Sequence, residues 1–263
     1  MSFQLGVGSG IWSVVQVSIE RARLGLKSES TRTRLGLAWW VLEPLIMLGI
    51  YYMVFGQLLR IPVEDYAVFL IIGVTFWTWF SKSVLNCTDA IYEKKFILEH
   101  CTVDPLIFPL TSIFKDVVKE SVVVALLLVL LCALGLRPTL VWLYLPLIAF
   151  VQLIITAGIG VFVAGLIPFM PDLRILISTG MQFLMFASGI FYTKDIVPGQ
   201  FHTLFELNPL ASLVNLYREV LMYDRAPPLE ELFTLFSGGL AVFLVAALFV
   251  ANNKNSYAMA LSK

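Results

Sequence analysis

Long apolar stretches alternate with shorter polar segments along most of this chain. Six of the stretches are close to the ~20 residues that a helix needs to cross a bilayer. They cover residues 37–59, 66–81, 115–136, 140–168, 173–192 and 232–251. The pattern therefore predicts an all-α integral membrane protein with six transmembrane helices, in a transmembrane domain that spans residues 37–251.

The N-terminal tail, residues 1–36, is more polar, and its segment 11–30 has a helical period. One stripe of this segment, weakly apolar toward its C-terminal end, holds Ile11, Val14, Val15, Ser18, Arg21 and Ala22. Trp12 and the cations Arg21, Arg23 and Lys27 suit a membrane surface. We predict an amphipathic interfacial helix; the alternative is a cap helix that packs on the rest of the protein.

The segment 193–228 is too polar for a membrane span and too apolar for a solvated loop. Asn208 and Pro209 predict a helix start, since Asn caps helices and Pro fits the first helical position. Apolar residues then recur at helical spacing, with a polar side predicted from Asn215, Arg218, Glu219 and Asp224. We predict a re-entrant helical hairpin before the last helix, dipping into the outer leaflet against protein or water.

The distribution of Lys and Arg predicts the orientation of the chain. The N-terminal tail carries Arg21, Arg23, Lys27, Arg32 and Arg34, and five lysines lie within residues 82–120. The C-terminal tail, residues 252–263, has two lysines and no acid. The positive-inside rule therefore places both termini in the cytoplasm, and with them the polar loop 82–114.

The overall composition agrees with a membrane protein and excludes other classes. The chain is 59% hydrophobic and 14% charged, with a mean hydropathy of +0.87, against about 45–50% and about 25% in soluble domains. A net charge of zero argues against a nucleic-acid surface. The first 37 residues are too polar for a cleavable signal peptide. The three cysteines lack CxxC spacing and are interpreted as small apolar residues.

Chemistry that could drive transport or catalysis is sparse in the sequence. A Walker-A loop, HExxH, GxSxG and a paired-cysteine metal site are all absent. The predicted spans also lack the several acids and bases expected of an ion-coupled pump. Glu43, followed by Pro44, is the only charge of the first span. It is either a functional carboxylate or a structural one at a helix start. If the protein transports, the energy is expected from another subunit.

Aromatic residues make up 13% of the chain and are dense in two predicted spans. Aromatic faces can stack on the C–H faces of sugars, although membrane proteins also place aromatics against lipid and at interfaces. The residues predicted to line a substrate path are Tyr52, Phe76, Trp77, Phe80, Phe183, Phe191 and Tyr192.

Two sequence stretches together identify a family. The first, TRLGLAWWVLEPLIMLGIYYMVFG, resembles the opening of type 2 ABC-transporter permeases that export bacterial polysaccharides (O-antigen, capsule or teichoic acid). The second, SGIFYTKDIVPGQFHTLFELNPLASLVNLYREVLM, resembles that family's segment before the last helix. The matching residues are Arg34, Leu35-Gly36, Trp39/Trp40, Glu43-Pro44, Phe191-Tyr192, Pro198, Asn208-Pro209-Leu210 and Tyr217-Arg218.

The resemblance implies a transport subunit in the bacterial inner membrane, not an enzyme. It implies a homodimer of permeases and two ABC ATPase subunits, which would hold the ATP and Mg, with no cofactor in this chain. The transported molecule would be a lipid-linked polysaccharide.

The resemblance also places a coupling helix at about Asp89–Val103. The residues expected to contact the ATPase are Asp89, Tyr92, Glu93, Lys94, Lys95, Phe96 and Glu99. Those expected at the membrane surface, where the substrate enters, are Trp12, Arg21, Arg23, Arg34, Trp39, Trp40 and Glu43. The run EKKFILEHCTVDP departs from the pattern of the O-antigen branch. We expect export of an O-antigen-like polysaccharide, with export of a capsule polysaccharide as the alternative. A drug, haem or lipid exporter and a membrane enzyme acting on lipid-linked sugars are the alternatives.

Overall fold

Residues 11–32, 39–101 and 103–261, the part of the chain that the computed structural model describes, form eleven α-helices and no strand. The helices are α1 (Ile11–Arg32), α2 (Trp39–Tyr51), α3 (Tyr66–Thr88), α4 (Lys95–His100), α5 (Ile107–Ala133), α6 (Leu145–Leu166), α7 (Leu173–Ala187), α8 (His202–Glu206), α9 (Pro209–Leu221), α10 (Leu229–Asn252) and α11 (Lys254–Leu261). A π-helical segment, Tyr52–Leu58, extends α2, and 3₁₀ turns occur at Tyr92–Lys94, Leu140–Tyr144, Lys194–Ile196 and Gly199–Phe201.

Every predicted span coincides with a helix, although the boundaries differ. α3 continues to Thr88, past the predicted end at 81, and α5 begins at Ile107 instead of 115. α7 ends at Ala187, so its length is about 22 Å at about 1.5 Å per residue.

By length and composition, three described stretches can cross a membrane, namely Tyr66–His100, Leu140–Leu166 and Leu229–Asn252. Leu45–Leu58 and Leu173–Ala187 are shorter apolar helices. α5 is long enough but has four charges in its first half. The protein is therefore helical with several apolar helices, and the count of six spans stays a prediction.

Contacts between successive helices define two ends of the bundle. At the end that we call the α4 end, Arg174 of α7 reaches Asp89 after α3. α11 also packs on α4 at this end. At the opposite end, which we call the α9 end, Thr139 pairs with Asp224. The long helices therefore run in alternating directions between the two ends.

α3 lies at the centre of the bundle and is buried on nearly all sides. It contacts α2, α5, α6, α7 and α9, and almost every residue from Val68 to Phe80 is buried. A helix surrounded by other helices needs no polar face, which explains why α3 carries no charge before Lys82. A smaller core cluster at the α4 end includes Ile91, Phe108 and Tyr257 of α11.

α6 and α10 pack together more extensively than any other two of the described helices. A Cβ on Gly158 would lie 2.9 Å from the backbone nitrogen of Phe243, and one on Gly239 would lie 3.2 Å from the Cα of Ile155. Small residues allow such close approach between apolar helices. Gly160 and Ala164 are a pair of small residues that the sequence offers for close helix packing. Gly160 faces the Cys87 sulfur within the subunit, where a Cβ would be only 2.9 Å away.

The predicted N-terminal helix is present as α1 and packs on α5. Ser18 and Ala22 are buried at this contact, as their place on the weakly apolar stripe predicted, and the Ser18 Oγ donates to the Ile107 carbonyl at 3.3 Å. α1 also exposes Trp12 and Leu24, among polar residues that include Gln16, Glu20 and Arg23. The packing on α5 agrees with the cap-helix alternative, and the interfacial role stays a prediction.

Candidate functional site

Four of the seven predicted path aromatics lie inside the subunit. Phe76, Trp77, Phe80 and Phe191 are each 5% exposed or less. Phe76 stacks on Tyr217 with ring centroids 3.4 Å apart. Phe76 thus packs α3 against α9, and Phe191 contacts the rings of Tyr51 and Phe55 at the end of α2 and just beyond it. Their assignment to a substrate path stays a prediction that no contact in this conformation supports.

The other three predicted aromatics are nearer the surface. Phe183 on α7 is 71% exposed, and Tyr52 is at the surface at the end of α2. Tyr192 is half-buried, and its hydroxyl donates to the Phe186 carbonyl at 2.6 Å. Tyr52 and Phe183 are therefore the predicted rings most open to a ligand, a second chain or lipid.

α2 and α7 each expose apolar side chains, and they meet near their C-terminal ends, where Tyr51 of α2 donates to the Met185 sulfur of α7 at 3.7 Å. We call the exposed surface of these two helices the α2–α7 face. The exposed residues of this α2–α7 face include Leu45, Ile46, Ile50, Ile175, Leu176, Thr179, Gln182, Phe183 and Phe186. Apolar patches of this extent mark surfaces that meet another chain or lipid. Thr179 and Gln182 add hydrogen-bonding groups that a purely lipid-facing helix would not need.

The segment after α7 is held together by Arg218, which the sequence placed on the polar side of α9. That prediction was wrong, because Arg218 is only 4% exposed. Its guanidinium donates to the carbonyls of Gly189 at 2.8 Å and Ile190 at 2.9 Å, and lies 3.4 Å above the Phe69 ring. Carbonyl oxygens thus replace water around this buried cation. A Cβ on Gly73 would lie 2.6 Å from the guanidinium, so only glycine leaves room for it.

Asn208 makes a second connection between the end of α7 and the start of α9. Its Oδ1 accepts from the Leu210 amide at 3.0 Å, which confirms the predicted helix cap. Its Nδ2 donates to the Ser188 hydroxyl at 3.0 Å. Gly189 has φ +65°, and a Cβ there would lie 2.6 Å from the Phe205 ring, so the turn needs glycine. The depth of this segment in a membrane stays a prediction.

An ionic network at the α4 end joins α1, α3 and α5. Glu29 pairs with Lys115 at 3.0 Å and with Lys119 at 2.6 Å. Asp116, buried beside them, accepts from the Asn86 amide at 2.9 Å. Partial burial raises the pKa of the Glu29 carboxyl, but the two lysines more than offset this and leave its pKa below the ordinary value.

Beside this network lies a polar cavity of about 330 Å³. Its lining includes Arg21, Glu29, Asn86, Asp89, Lys94 and Lys115. The described residues bring together no group of three or more His, Cys, Asp or Glu that could hold a metal ion.

The predicted membrane-surface residues are spread over α1 and α2. Trp12 and Trp39 are exposed, while the Arg21 guanidinium lies 5.2 Å from the Phe108 ring. Arg23 pairs with Glu20 of its own helix at 2.9 Å. Arg34 lies outside the described residues.

Glu43 and Trp40 connect α2 to its neighbours. Glu43 pairs with Lys82 of α3, and the Lys119 ammonium lies 5.8 Å from the Trp40 ring. α2 already includes Trp39, so Pro44 lies beyond its first turn. The predicted alternative of a helix start at Glu43-Pro44 is therefore wrong. The ion pair gives Glu43 a structural role between two helices.

The predicted coupling segment forms a 3₁₀ turn followed by the short helix α4. Phe96 on α4 is 73% exposed and stacks on His100 with centroids 4.4 Å apart. Glu93 pairs with Lys94 at 3.5 Å, and Lys95 with Glu99 at 3.9 Å. α4 therefore presents an exposed aromatic ring among charges, as expected of a docking surface for another protein.

Asp89 and Tyr92 of the same segment instead face α7. Arg174 pairs with Asp89 at 2.7 Å and lies 3.9 Å from the centre of the Tyr92 ring. Sequence reasoning assigned no role to Arg174, although a cation at the start of an otherwise apolar helix was a signal that could have found it.

Comparison with known proteins gives a consistent result. A family model described as ABC-2 type transporter matches residues 25–222. The chain is 30% identical to the O-antigen export system permease protein RfbA of Klebsiella pneumoniae, over 75% of this chain and 76% of that protein. It is 23% identical to RfbA of Myxococcus xanthus over 89% and 90% of the two chains. It is 25% identical to the polysialic acid transport protein KpsM of Escherichia coli over 80% and 83%.

Proposed function

Because the chain belongs to the ABC-2 type transporter family, we propose that it is the permease subunit of an ATP-driven exporter of lipid-linked, O-antigen-like polysaccharide. The observation that carries this proposal is the similarity to O-antigen export permeases over most of both chains. Chain-wide similarity of this kind covers the exposed α2–α7 face and the α4 surface together.

The proposed assembly is a homodimer of this chain in the inner membrane, with both termini in the cytoplasm. Each copy would cross the membrane six times and would bind one ABC ATPase subunit, which supplies ATP and Mg. The absence of a nucleotide-binding loop from the sequence supports the need for such a partner. The exposed Phe96 on α4 is the proposed contact point.

In the proposed mechanism, ATP-driven closure of the partner pushes on residues 89–103. That push moves α7 and α2, and a path opens at the α2–α7 face. Phe183 and Phe186 would stack on sugar C–H faces, while Thr179 and Gln182 would hydrogen-bond hydroxyl groups. α1, with Trp12 exposed, would hold the lipid-linked sugar at the cytoplasmic surface.

The test is an export assay in a strain whose only permease is this chain. We expect polymer at the cell surface, and polymer retained inside when the partner ATPase is inactivated. A purified chain that co-elutes with no ATPase, or export that continues without ATP hydrolysis, would overturn the proposal.

Export of a capsule polysaccharide is the second candidate, favoured by the similarity to a polysialic acid transport protein. The same strain separates the two candidates, since each polymer can be supplied by its own biosynthetic genes. A drug or lipid exporter should tolerate loss of the α7 aromatic rings. Normal export by Phe183→Ala combined with Phe186→Ala would therefore favour that alternative.

A further inference from the structure

Arg174 fastens α7 to the connection between α3 and α4. It lies in the first turn of α7, and its Nε is 2.7 Å from the Asp89 Oδ1. Its guanidinium carbon is 3.9 Å from the centre of the Tyr92 ring. Asp89 directly follows α3, and Tyr92 begins the 3₁₀ turn that leads into α4. One side chain therefore links α7 to both parts of this connection.

The two charges of this pair are unfavourable for their own helices. Asp89 caps the C-terminal end of α3, where the helix dipole is negative and disfavours a carboxylate. Arg174 lies at the N-terminal end of α7, where the dipole is positive and disfavours a cation. Neither charge stabilises the helix that carries it. The favourable interaction of each charge is therefore its contact with the other helix.

The geometry of the contact also suits the transmission of movement. The Arg174 Nε and the Asp89 Oδ1 are in electrostatic contact without hydrogen-bond alignment, and the guanidinium also lies over the Tyr92 ring, so two different contacts hold it. The side chains of Arg174 and Asp89 are 34% and 43% exposed, so the pair is partly shielded from water. Between this anchor and the one at the α9 end, α7 packs on the core with half-buried residues and exposes Ile175, Leu176, Phe183 and Phe186.

We propose that Arg174 is a positioning residue that transmits movement of the α3–α4 connection to α7. This inference rests on the proposed function, in which the partner ATPase acts on α4. When the connection moves, Asp89 and Tyr92 carry the start of α7 with them. The α2–α7 face then changes at its α4 end, while Arg218 holds the other end of α7 in place.

The experiment follows α7 directly in the purified complex of this chain with its ATPase. Thr179, on the exposed face of α7, is replaced by Cys in a background with Cys101→Ser and Cys132→Ser, since these two of the three native cysteines are exposed and Cys87 is buried. The rate of reaction with a small methanethiosulfonate reagent is measured without nucleotide and with trapped ATP. Polymer export, ATP hydrolysis and ATPase co-purification are measured on the same variants without the label.

Four variants test the pair. Arg174→Ala should keep co-purification and basal ATP hydrolysis, lose the ATP-dependent change in labelling rate, and lower export about 10-fold, as for a typical coupling free energy. Arg174→Lys should fall between Arg174→Ala and the wild type, because lysine keeps the charge without the planar stack. The exchange Asp89→Arg with Arg174→Asp should restore the response, since it also places each charge at the favourable end of its helix. The control is Arg225→Ala, which removes an exposed arginine that pairs with Glu219 at the α9 end.

Each remaining outcome would overturn the inference. An unchanged labelling response in Arg174→Ala removes the proposed link. Loss of ATPase co-purification in that variant shows a structural role instead. Failure of the exchanged pair to restore the response shows that the contact is not the link. If the wild-type chain binds no ATPase, the proposed function fails before any variant is compared, so the two failures are distinct.

Discussion

α10 and α7 are both apolar helices with exposed surfaces, but they are attached to the bundle in different ways. α10 buries Leu232, Gly239, Ala246 and Val250, which recur at near-heptad spacing along the seam with α6. Within α7, whose residues are all described, only Met181 is buried. α7 packs on the core through a stripe of half-buried side chains, Leu173, Ile177, Leu184 and Met185, beside Met181, and is also held at its ends by Arg174 and by the Arg218 contacts with the turn that follows it.

This difference in attachment predicts which helices move during transport. A helix attached along its whole length can move only together with its partner. A helix held by its ends and by a stripe of half-buried side chains can tilt or rotate more easily, because fewer buried contacts are lost in the movement. We therefore expect α6 and α10 to stay together during transport and α7 to change position.

Replacement of an inner and an outer aromatic ring should give the largest contrast. Phe76→Ala should lower the free energy of unfolding by about 3–5 kcal/mol, because it removes a fully packed ring. Phe183→Ala on α7 should change it by less than about 0.5 kcal/mol, yet reduce export. Thermal unfolding in detergent and the export assay check both. Equal destabilisation by the two changes would contradict the view that the α7 surface is free of packing.

Loss of Arg218 should release the α9 end of α7. Arg218→Met keeps much of the length but removes hydrogen bonds to buried carbonyls, so we expect a loss of about 3 kcal/mol. Proteolysis after residue 187 should also become faster. Arg225→Ala, which removes an exposed arginine, should change stability by less than about 0.5 kcal/mol. A small effect of Arg218→Met would mean that α7 has another anchor.

Two adjacent glycines of α10 test its attachment. Gly239→Ala places a methyl group against the α6 backbone and should cost about 1–3 kcal/mol. Gly238→Ala meets nothing within 4 Å, so it should be neutral or slightly stabilising, because alanine favours the helix. The difference in unfolding free energy between the two variants measures how tightly α10 packs on α6. Similar values for both would show that α10 is as loosely packed as α7.

The attachment of α1 should depend weakly on pH. The pKa of Glu29 is lowered from 4.5 in the folded protein, so its pairs with Lys115 and Lys119 stabilise docking above about pH 4.5. The contribution is lost as the pH falls through the folded pKa. Hydrogen exchange of α1, corrected for intrinsic rates, should show less protection at pH 4 than at pH 7. Glu29→Gln should remove this difference, and its persistence in that variant would point to other groups.

The local features of the fold could be predicted from sequence. Apolar stretches located the long helices, the helical period located α1, and Asn208-Pro209 located the start of α9. Each of these depends on residues close together in the chain.

Features that depend on distant partners were missed. Arg218 looked like a surface residue because the carbonyls that surround it belong to Gly189 and Ile190. The predicted start of the third span at 115 missed the first two turns of α5, and the charges at 115–119 have partners in Glu29 and Asn86 that the sequence did not indicate. The rings of α3 offered no period from which to separate buried from exposed positions, because that helix is surrounded on all sides.

Tyr257 gives the α4 end a particular place in the biosynthesis of the protein. The ring is buried among residues that include Ile91 and Phe108, and α11 packs on α4. Tyr257 follows His100 by 157 residues, which corresponds to roughly 8–30 s of translation at about 5–20 residues per second. α4 is therefore synthesised long before α11, the helix that packs on it. The surface proposed to receive the ATPase is completed only after α11 has been synthesised, so a partner that binds earlier meets an unfinished site.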